Sequence, residues 1–376
     1  MLRLRALAAA AVLATLVSAP LARAAAPTVD ASAYILVNPA TGETLAQRAP
    51  DRELPMASTT KIMTALVVLE RAALGDRITV PAAASAVEGS SGALVAGESL
   101  TVRELLTALL VPSGNDAAAA LAQGVAGSQA AFVEMMNAKA AELGLTETHY
   151  ANPHGLDAPG HHSSVSDMVR LGRAAMRNPV FRSIVASREA RLPGPGGRGT
   201  RVYESENELL DIDPDADGIK TGMTDGAGYA LVAHARRPRL GVQLYAAMIG
   251  APSPYARARD AKRLLDWGFS QYTSATLLAA DAELGRAPVD ERPGVEVPYR
   301  VAAALNAPVR LGQAISRTLV APAEVKGPVS AGQVLGTVTM RQGSHVLGRR
   351  NLVATRSADG PGLWDHIRSG LGNLIP

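Results

Sequence analysis

The sequence predicts a mixed α/β domain, an antiparallel sheet flanked by helices, followed by a small all-β domain. Strand patterns occupy residues 33–48 and return from about residue 202, and helical patterns run between them from residue 58 to about 177. Late strands that pack on a first hairpin are typical of a mixed domain with an antiparallel sheet. After about residue 275, short apolar runs separated by turn residues predict the second, smaller domain.

Two hairpins frame the predicted sheet. "AYILVNPATGETLAQR" (33–48) has an apolar strand, a Pro/Gly turn and an alternating second strand. "YALVAHARR" and "LGVQLYAAMIG" predict another hairpin around Pro238. We interpret the Gly-rich "RLPGPGGRGTR" (191–201) as a hairpin loop, because the strand-to-helix context of a phosphate-binding loop does not surround it.

The helical segment carries apolar residues at helical spacing. Thr101 and Glu104 form a capping box, which predicts that a helix begins just before Leu105. The predicted helices cover residues 58–74, 99–111, 115–126 and 128–144, and "YARARDAKRLLDWGF" closes the first domain near residue 270. We therefore place the first domain at residues 27–272.

The second domain is predicted at residues 275–356 from five apolar runs, "VEVPYRV", "VRLGQAI", "RTLVAPA", "VLGTVTM" and "NLVATR". A tail at residues 357–376 follows. As a helix it would have one apolar face, made of Leu363, Trp364, Ile367, Leu371 and Leu374. We expect this tail to bind the surface of a cell membrane. Docking on the protein and simple fraying remain the alternatives.

Residues 1–24 have the pattern of a signal peptide. Arg3 and Arg5 precede an uncharged run from Ala6 to Ala19, and Ala22-Arg23-Ala24 offers the small residues of a cleavage site. We expect export to the periplasm or the outer face of the cytoplasmic membrane; an uncleaved anchor is the alternative. Cleavage removes three arginines, so the formal net charge falls from +3 to 0. The mature chain therefore offers no basic surface that would predict nucleic-acid binding.

The chain contains no cysteine. Disulfides, thiolate metal sites and thiol nucleophiles are therefore excluded, and covalent chemistry would depend on Ser, Thr or Lys. "ASTTKIMTAL" (57–66) places Ser58 three residues before Lys61, so that both side chains lie on one helical face. A serine is a good nucleophile only when a base removes its proton, and a lysine is such a base only when its pKa is lowered. The pattern S-x-x-K is weak by itself.

Two further motifs support it. "VPSGNDAAAA" places Ser113 and Asn115 in a tight turn between two predicted helices. "DGIKTGMTDGAGYAL" places Lys220-Thr221-Gly222 on a predicted strand, where the glycine lets a ligand approach the backbone closely. S-x-x-K, S-x-N and K-T-G in this order are characteristic of penicillin-binding proteins and serine β-lactamases.

The chain resembles the D-alanyl-D-alanine carboxypeptidases, the low-molecular-mass penicillin-binding proteins. Nearly the whole mature chain takes part, and the small β-domain is included through "LNAPVRLGQ" and "VSAGQVLGTV". The resemblance implies a β-lactamase/transpeptidase-like first domain. It also implies a serine peptidase that removes the terminal D-alanine of peptidoglycan stem peptides ending in D-Ala-D-Ala, with β-lactam antibiotics as inhibitors and no metal or other cofactor. The matching stretches of the first domain are "AYILVNPATGETLAQR", "PMASTTKIMTAL", "LLVPSGNDAAAALA", "VAGSQAAFVEMMN", "NPHGLDAPGHHSSVSDM", "NELL", "DGIKTGMTDGAGYAL" and "LLDWGF".

The resemblance also implies roles for the catalytic residues. Ser58 would be the acylated nucleophile, Lys61 its general base, and Ser113 the proton relay toward the leaving amine. Asn115 would bind the peptide carbonyl of the substrate and hold Lys61. In this family a bulkier or thiol residue often follows Asn-Asp, where this chain has Ala117.

The opposite wall of the implied site comes from the K-T-G strand. Lys220, Thr221 and Gly222 would line it, with Thr221 on the terminal carboxylate of the substrate. The backbone N–H of Met223 would complete an oxyanion hole with that of Ser58. A polar residue is common at the position of Met223, so the resemblance does not fix the substrate preference of this wall. Arg257 would attract the substrate carboxylate; a solvated helix charge is the alternative.

Three other functions were weighed. A class A β-lactamase needs an E-x-x-L-N arrangement that "YESENELLD" (203–211) does not provide. A non-catalytic peptidoglycan-binding protein would be expected to lose the motif residues, which this chain keeps. A metal peptidase is suggested only by four neighbouring histidines in a Pro/Gly-containing loop without H-E-x-x-H, namely His149, His154, His161 and His162.

Overall fold

The computed structural model describes residues 9–16, for their backbone only, and residues 25–362. The helices are α1 (Lys61–Arg71), α2 (Ala82–Ser85), α3 (Val102–Leu110), α4 (Asn115–Ala126), α5 (Gln129–Glu142), α6 (Val165–Ala175), α7 (Pro179–Val185), α8 (Leu209–Ile212) and α9 (Pro254–Ser270). The strands are β1 (Ala9–Leu16), β2 (Ala33–Val37), β3 (Thr44–Arg48), β4 (Arg77–Thr79), β5 (Ser99–Thr101), β6 (Glu189–Pro193), β7 (Thr200–Glu204), β8 (Ala216–Thr224), β9 (Gly228–Arg237), β10 (Val242–Ala251), β11 (Tyr272–Leu278), β12 (Glu283–Pro288), β13 (Glu296–Val301), β14 (Leu305–Arg310), β15 (Ile315–Pro322), β16 (Val334–Gln342) and β17 (His345–Ala354).

The chain divides into two compact units. The large unit comprises residues 25–238 and 242–270, and the small unit comprises residues 239–241 and 271–362 together with the N-terminal strand β1. The large unit is built on a five-stranded antiparallel sheet in the order β3-β2-β10-β9-β8. The predicted hairpins β2–β3 and β9–β10 are confirmed, and the Gly-rich stretch connects a third hairpin, β6–β7.

Helices cover both faces of this sheet. Gly172 of α6 lies against Ile219 and Val232, whereas Gly268 of α9 lies against Leu36 and Leu244. Because successive residues of a strand point to opposite faces, α6 and α9 pack on opposite sides of the sheet. The main core forms on the α6 side and takes in the apolar faces of α1, α3 and α4. The helix α3 begins with the predicted capping box.

The small unit is all-β, as predicted. Its larger sheet has the strand order β1-β15-β16-β17-β13-β12, and β11 pairs with β14. Alternate strand residues such as Val297, Tyr299 and Val301 are buried in its core. "VRLGQAI" is not one strand: β14 ends at Arg310, Gly312 turns the chain with φ +73°, and β15 begins at Ile315. A continuous apolar pattern therefore concealed a turn that the glycine makes possible.

The two terminal segments lie largely outside the described residues. Of the expected signal peptide, the structure describes only the backbone of residues 9–16, which forms β1 and pairs antiparallel with β15. The apolar face of the expected tail helix, residues 363–374, also lies outside the described part. Both remain predictions. Among the described helices, none has the length and apolar character needed to cross a membrane.

Candidate active site

Ser58 and Lys61 meet at the start of α1. The α-helix begins at Lys61, and Ser58 lies before it in a 3₁₀ turn, Ala57–Thr60. Side chains three residues apart are nearly eclipsed in a 3₁₀ turn, so this local geometry brings the pair together more directly than the predicted α-helix would. Lys61 Nζ lies 2.7 Å from Ser58 Oγ, within hydrogen-bond distance.

Two more oxygen atoms fix the position of Lys61 Nζ. Its Nζ donates to Asn115 Oδ1 over 2.6 Å and to the carbonyl oxygen of His154 over 2.8 Å. Asn115 is itself oriented, because its amide nitrogen donates to the Glu88 carbonyl over 2.6 Å. The predicted contact between Asn115 and Lys61 is therefore present. The His154 carbonyl was not predicted, since a backbone acceptor leaves no residue signal in the sequence.

Lys61 is 0% exposed, and its pKa lies well below the ordinary value for a lysine. Burial is the largest cause, and the positive charge of Lys220 adds to it; Glu206 and Asp116 act in the opposite direction. A lysine in this environment is neutral at a pH where an exposed lysine is charged. The pair thus consists of a hydroxyl and an amine that can accept its proton.

The second motif projects from the turn between α3 and α4. Ser113 has φ +61°, and its Oγ is buried without a hydrogen-bond partner among the described residues. The turn is anchored by Asp116, which sequence reasoning missed. Its carboxylate accepts from the N–H groups of Gly92 and Leu94 over 2.8 and 3.1 Å, so it ties the preceding loop to the start of α4. An Asp inside an Ala-rich helix is the signal that could have revealed it.

The third motif lies on β8, at the free edge of the large sheet. Lys220 and Thr221 are buried, whereas the side chain of Met223 is 55% exposed. A Cβ on Gly222 would lie 2.8 Å from the Ser58 backbone nitrogen. Glycine is therefore required here for the strand to pass close to the nucleophile turn, and not only for a ligand to approach.

The pKa of Lys220 is lowered as well. Its pKa is about 8, and burial is the largest cause of the lowering. The charge of Arg257 lowers this pKa too, whereas Glu206 and Glu208 raise it. Its Nζ donates to the Thr221 carbonyl over 3.1 Å. At neutral pH Lys220 therefore carries a positive charge inside the protein.

A cavity of about 270 Å³ is lined by residues of the first and third motifs. Lys61, Ser113, Asn115 and Lys220 are not among its lining residues. Arg257 lies on its wall and is 4% exposed, so it is not a solvated helix charge. Its guanidinium pairs with Glu208 over 2.5 Å and donates to the Gly222 carbonyl over 3.3 Å. Sequence reasoning did not place Glu206 and Glu208 at this cavity, because an acidic run resembles any solvated loop. The lining residues are Ser58, Ser90, Glu206, Glu208, Thr221, Gly222, Met223, Tyr229, Pro254 and Arg257.

The histidines of the neighbouring loop support the nucleophile turn. The Ala151 N–H donates to Nδ1 of His161, so Nε2 carries the proton and donates to Thr60 Oγ1 over 2.8 Å. Thr60 in turn donates to the carbonyl of Ala57, the residue before the nucleophile, which has φ +51°. Within the described part of the chain, no group of three His, Asp or Glu side chains is arranged to hold a metal ion.

Comparison with known proteins identifies the family. The sequence pattern of the family described as D-alanyl-D-alanine carboxypeptidase, peptidase S11, matches residues 21–253. DacC of Escherichia coli, a D-alanyl-D-alanine carboxypeptidase, is 34% identical over 362 residues, covering 91% of this chain and 88% of that protein. DacF of Bacillus subtilis, also a D-alanyl-D-alanine carboxypeptidase, is 28% identical over 352 residues, covering 92% and 90%.

Solved structures of similar proteins have the same fold. Penicillin binding protein 5 of Haemophilus influenzae superposes with a TM-score of 0.65 at 27% identity, covering 89% of this chain and 99% of that one. A Streptomyces DD-transpeptidase superposes with a TM-score of 0.62 at 32% identity, covering 66% and 100%. The predicted fold class is thereby confirmed. With this family match and this fold, the chain belongs to the D-alanyl-D-alanine carboxypeptidases and is a serine peptidase.

Proposed function

We propose that the protein removes the terminal D-alanine from peptidoglycan stem peptides ending in D-Ala-D-Ala, through a covalent ester on Ser58, and that penicillins acylate the same serine. The observation that carries this proposal is the 2.7 Å hydrogen bond between Lys61 Nζ and Ser58 Oγ beside the cavity. A buried lysine with a lowered pKa is a more available base than an exposed lysine, and a serine next to it is an activated nucleophile.

In the acylation step, neutral Lys61 takes the proton of Ser58 while Oγ attacks the carbonyl carbon of the penultimate D-alanine. The carbonyl oxygen becomes an oxyanion, and the backbone N–H groups of Ser58 and Met223 stabilise it. The C–N bond then breaks, and the proton held by Lys61 passes through Ser113 Oγ to the leaving amine. The unpartnered Oγ of Ser113 supports this role, since the hydroxyl has hydrogen-bonding capacity that the protein does not use.

In the deacylation step, water attacks the ester carbonyl of the acyl-enzyme. Lys61 accepts one proton of this water, and the remaining O–H becomes part of the new carboxyl group of the shortened peptide. The ester C–O bond breaks, and Ser58 Oγ recovers its proton from Lys61. Free D-alanine and the shortened peptide are the products, and the enzyme returns to its starting state.

Substrate binding is assigned to residues of the second and third motifs. Asn115 is the group for the peptide carbonyl, and charged Lys220 with Thr221 for the terminal carboxylate. Arg257 adds positive potential to this wall, although its pairing with Glu208 reduces its effect. Met223 is the exposed apolar side chain at the cavity rim.

We further propose that the protein acts after export, in the periplasm or on the outer face of the cytoplasmic membrane. The residue pattern supports a signal peptide at 1–24, a peptidase domain at 27–272, a β-domain at 275–356 and a membrane-binding tail at 357–376. Peptidoglycan lies on that side of the membrane, so the substrate would be within reach.

Intact-mass analysis tests the mechanism. The mature protein is incubated with a penicillin and, separately, with a peptide ending in D-Ala-D-Ala, beside the variant Ser58→Ala. We expect a lasting penicillin adduct and release of D-alanine, both absent from Ser58→Ala. Rapid penicillin hydrolysis without an adduct would indicate a β-lactamase. Folded protein that shows neither adduct nor turnover would be a binding module.

A further inference from the structure

A second cavity, of about 310 Å³, lies in the large unit and shares no lining residue with the catalytic one. Three arginines line it. Arg173 belongs to the last turn of α6, Arg177 to the turn that follows, and Arg182 to α7. Its other lining residues are Pro39, Ala40, Met176, Gln243 and Tyr245.

The three guanidiniums are not neutralised by carboxylates. Many other arginines of the chain form ion pairs, for example Arg201 with Glu98 and Arg237 with Asp215. Within the described residues, none of the cavity arginines has a carboxylate oxygen within 4.0 Å. Arg173 donates to the Pro39 carbonyl and Arg182 to the Met176 carbonyl, each over 3.2 Å. These carbonyl contacts orient the two side chains without cancelling their charge.

The floor of the cavity is polar as well. Tyr245 is buried, and within the described residues its hydroxyl has no protein hydrogen-bond partner. Burial raises the pKa of Tyr245 to about 12, Asp217 reinforces this, and all three arginines act against it. The hydroxyl is therefore a neutral donor that lies within the electrostatic reach of the three cations.

The remaining charged neighbours do not fill the cavity. Asp217 bonds to Nδ1 of His234, and Nε2 of His234 lies 3.2 Å from Gln243 Oε1. Asp217 is thus engaged with His234 behind Tyr245. The C-terminal end of α6 favours one nearby cation, but the field of the helix does not explain why three arginines converge on one cavity.

We propose that this cavity binds a ligand carrying a phosphate group. A phosphate carries close to two negative charges at neutral pH and three acceptor oxygens, which suits two or three guanidinium forks and one hydroxyl donor. Its size is at the lower end of the range for small-molecule sites, so a phosphorylated small molecule or a lipid headgroup would fit. The strand spacing puts the site on the order of 12 Å from Lys220, because Tyr245 is two strands and two residues away in the register.

Titration calorimetry with inorganic phosphate, at constant ionic strength and pH 7.5, tests the site. The variant Arg177→Gln/Arg182→Gln removes two exposed cations from the cavity. The matched control Arg71→Gln/Arg103→Gln removes two exposed arginines elsewhere in the same unit. Wild type and control should bind one phosphate with equal affinity. The cavity variant should bind more weakly by about tenfold for each guanidinium lost.

A second arm distinguishes the source of the phosphate. Co-sedimentation with phosphatidylglycerol vesicles that is lost in the cavity variant and kept in the control would identify a lipid headgroup. Phosphate binding with vesicle binding equal in both variants would identify a soluble ligand. Tyr245→Phe keeps all charges and should weaken phosphate binding, independently of any folding defect in the double variant. Equal phosphate and vesicle binding by both double variants, or no binding in either arm, would overturn the proposal.

Discussion

Lys220 should set the alkaline limit of activity. Its pKa is lowered to about 8, chiefly by burial, so its positive charge is present below that pH and is lost above it. We expect the charged form to bind the substrate carboxylate, and therefore kcat/KM to fall as the pH rises through 8. Because a bound carboxylate favours the charged lysine, the loss should appear in kcat/KM, which reports the free enzyme, before it appears in kcat.

The size of the fall in kcat/KM follows from the lowered pKa of Lys220. With a pKa of about 8, roughly a tenth of Lys220 remains charged at pH 9, so kcat/KM should fall about tenfold from its plateau. A lysine with an ordinary pKa would lose only about 4% of its charge at this pH. The difference is large enough for steady-state kinetics to decide.

The assay measures D-alanine release from a D-Ala-D-Ala peptide whose amines are blocked, between pH 6 and pH 10. Lys220→Arg keeps a positive charge throughout this range, so its alkaline limb should disappear even if its plateau is lower. The matched control Lys326→Arg changes an exposed lysine of the small unit and should keep the wild-type profile. An identical alkaline limb in wild type and Lys220→Arg would refute the reasoning.

Three further predictions concern the nucleophile. Lys61→Met should slow penicillin acylation about a thousandfold, seen by intact mass over time; a near-normal rate would contradict its role as base. Gly155→Ala should be much more destabilising in urea unfolding than Gly127→Ala: both glycines have positive φ, but only at Gly155 would a Cβ lie 2.1 Å from the Ala57 carbonyl oxygen. Equal costs would show that the turn moves aside. His161→Phe should slow acylation about tenfold while preserving the melting temperature within a few degrees, since it removes one buried donor; an unchanged rate would mean that the hydrogen bond does not position the turn.

The sequence predicted those parts of the molecule whose determinants are local. The two apolar stretches on either side of Pro238 predicted β9 and β10, and the Thr101–Glu104 pair predicted the start of α3. The K-T-G motif was placed correctly on a strand because its flanking residues have strand character. Each of these features depends on contacts between residues close together in the chain, which a single sequence displays.

The missed features depend on contacts between distant segments. The His154 carbonyl reaches Lys61 from 93 residues away, and as backbone it has no residue identity to detect. Asp116 acts through N–H groups of a loop more than twenty residues earlier. Glu206 shares a cavity with Ser58 only because the sheet and the helices assemble. Their functions emerge from tertiary packing, and no local pattern encodes them.

Lys61 and Lys220 are both buried lysines, yet the proposed chemistry needs one neutral and one charged. Burial lowers both pKa values, but the charge of Lys220 is the next cause of the lowering at Lys61. Glu206 and Glu208 both favour the charged form of Lys220, so it stays charged up to about pH 8, whereas the pKa of Lys61 lies well below the ordinary value for a lysine. The charge of Lys220 thus helps to keep Lys61 neutral and available as a base. Two titratable groups in different surroundings thus divide carboxylate binding and proton transfer between them, and activity should be lost on the alkaline side as Lys220 loses its charge.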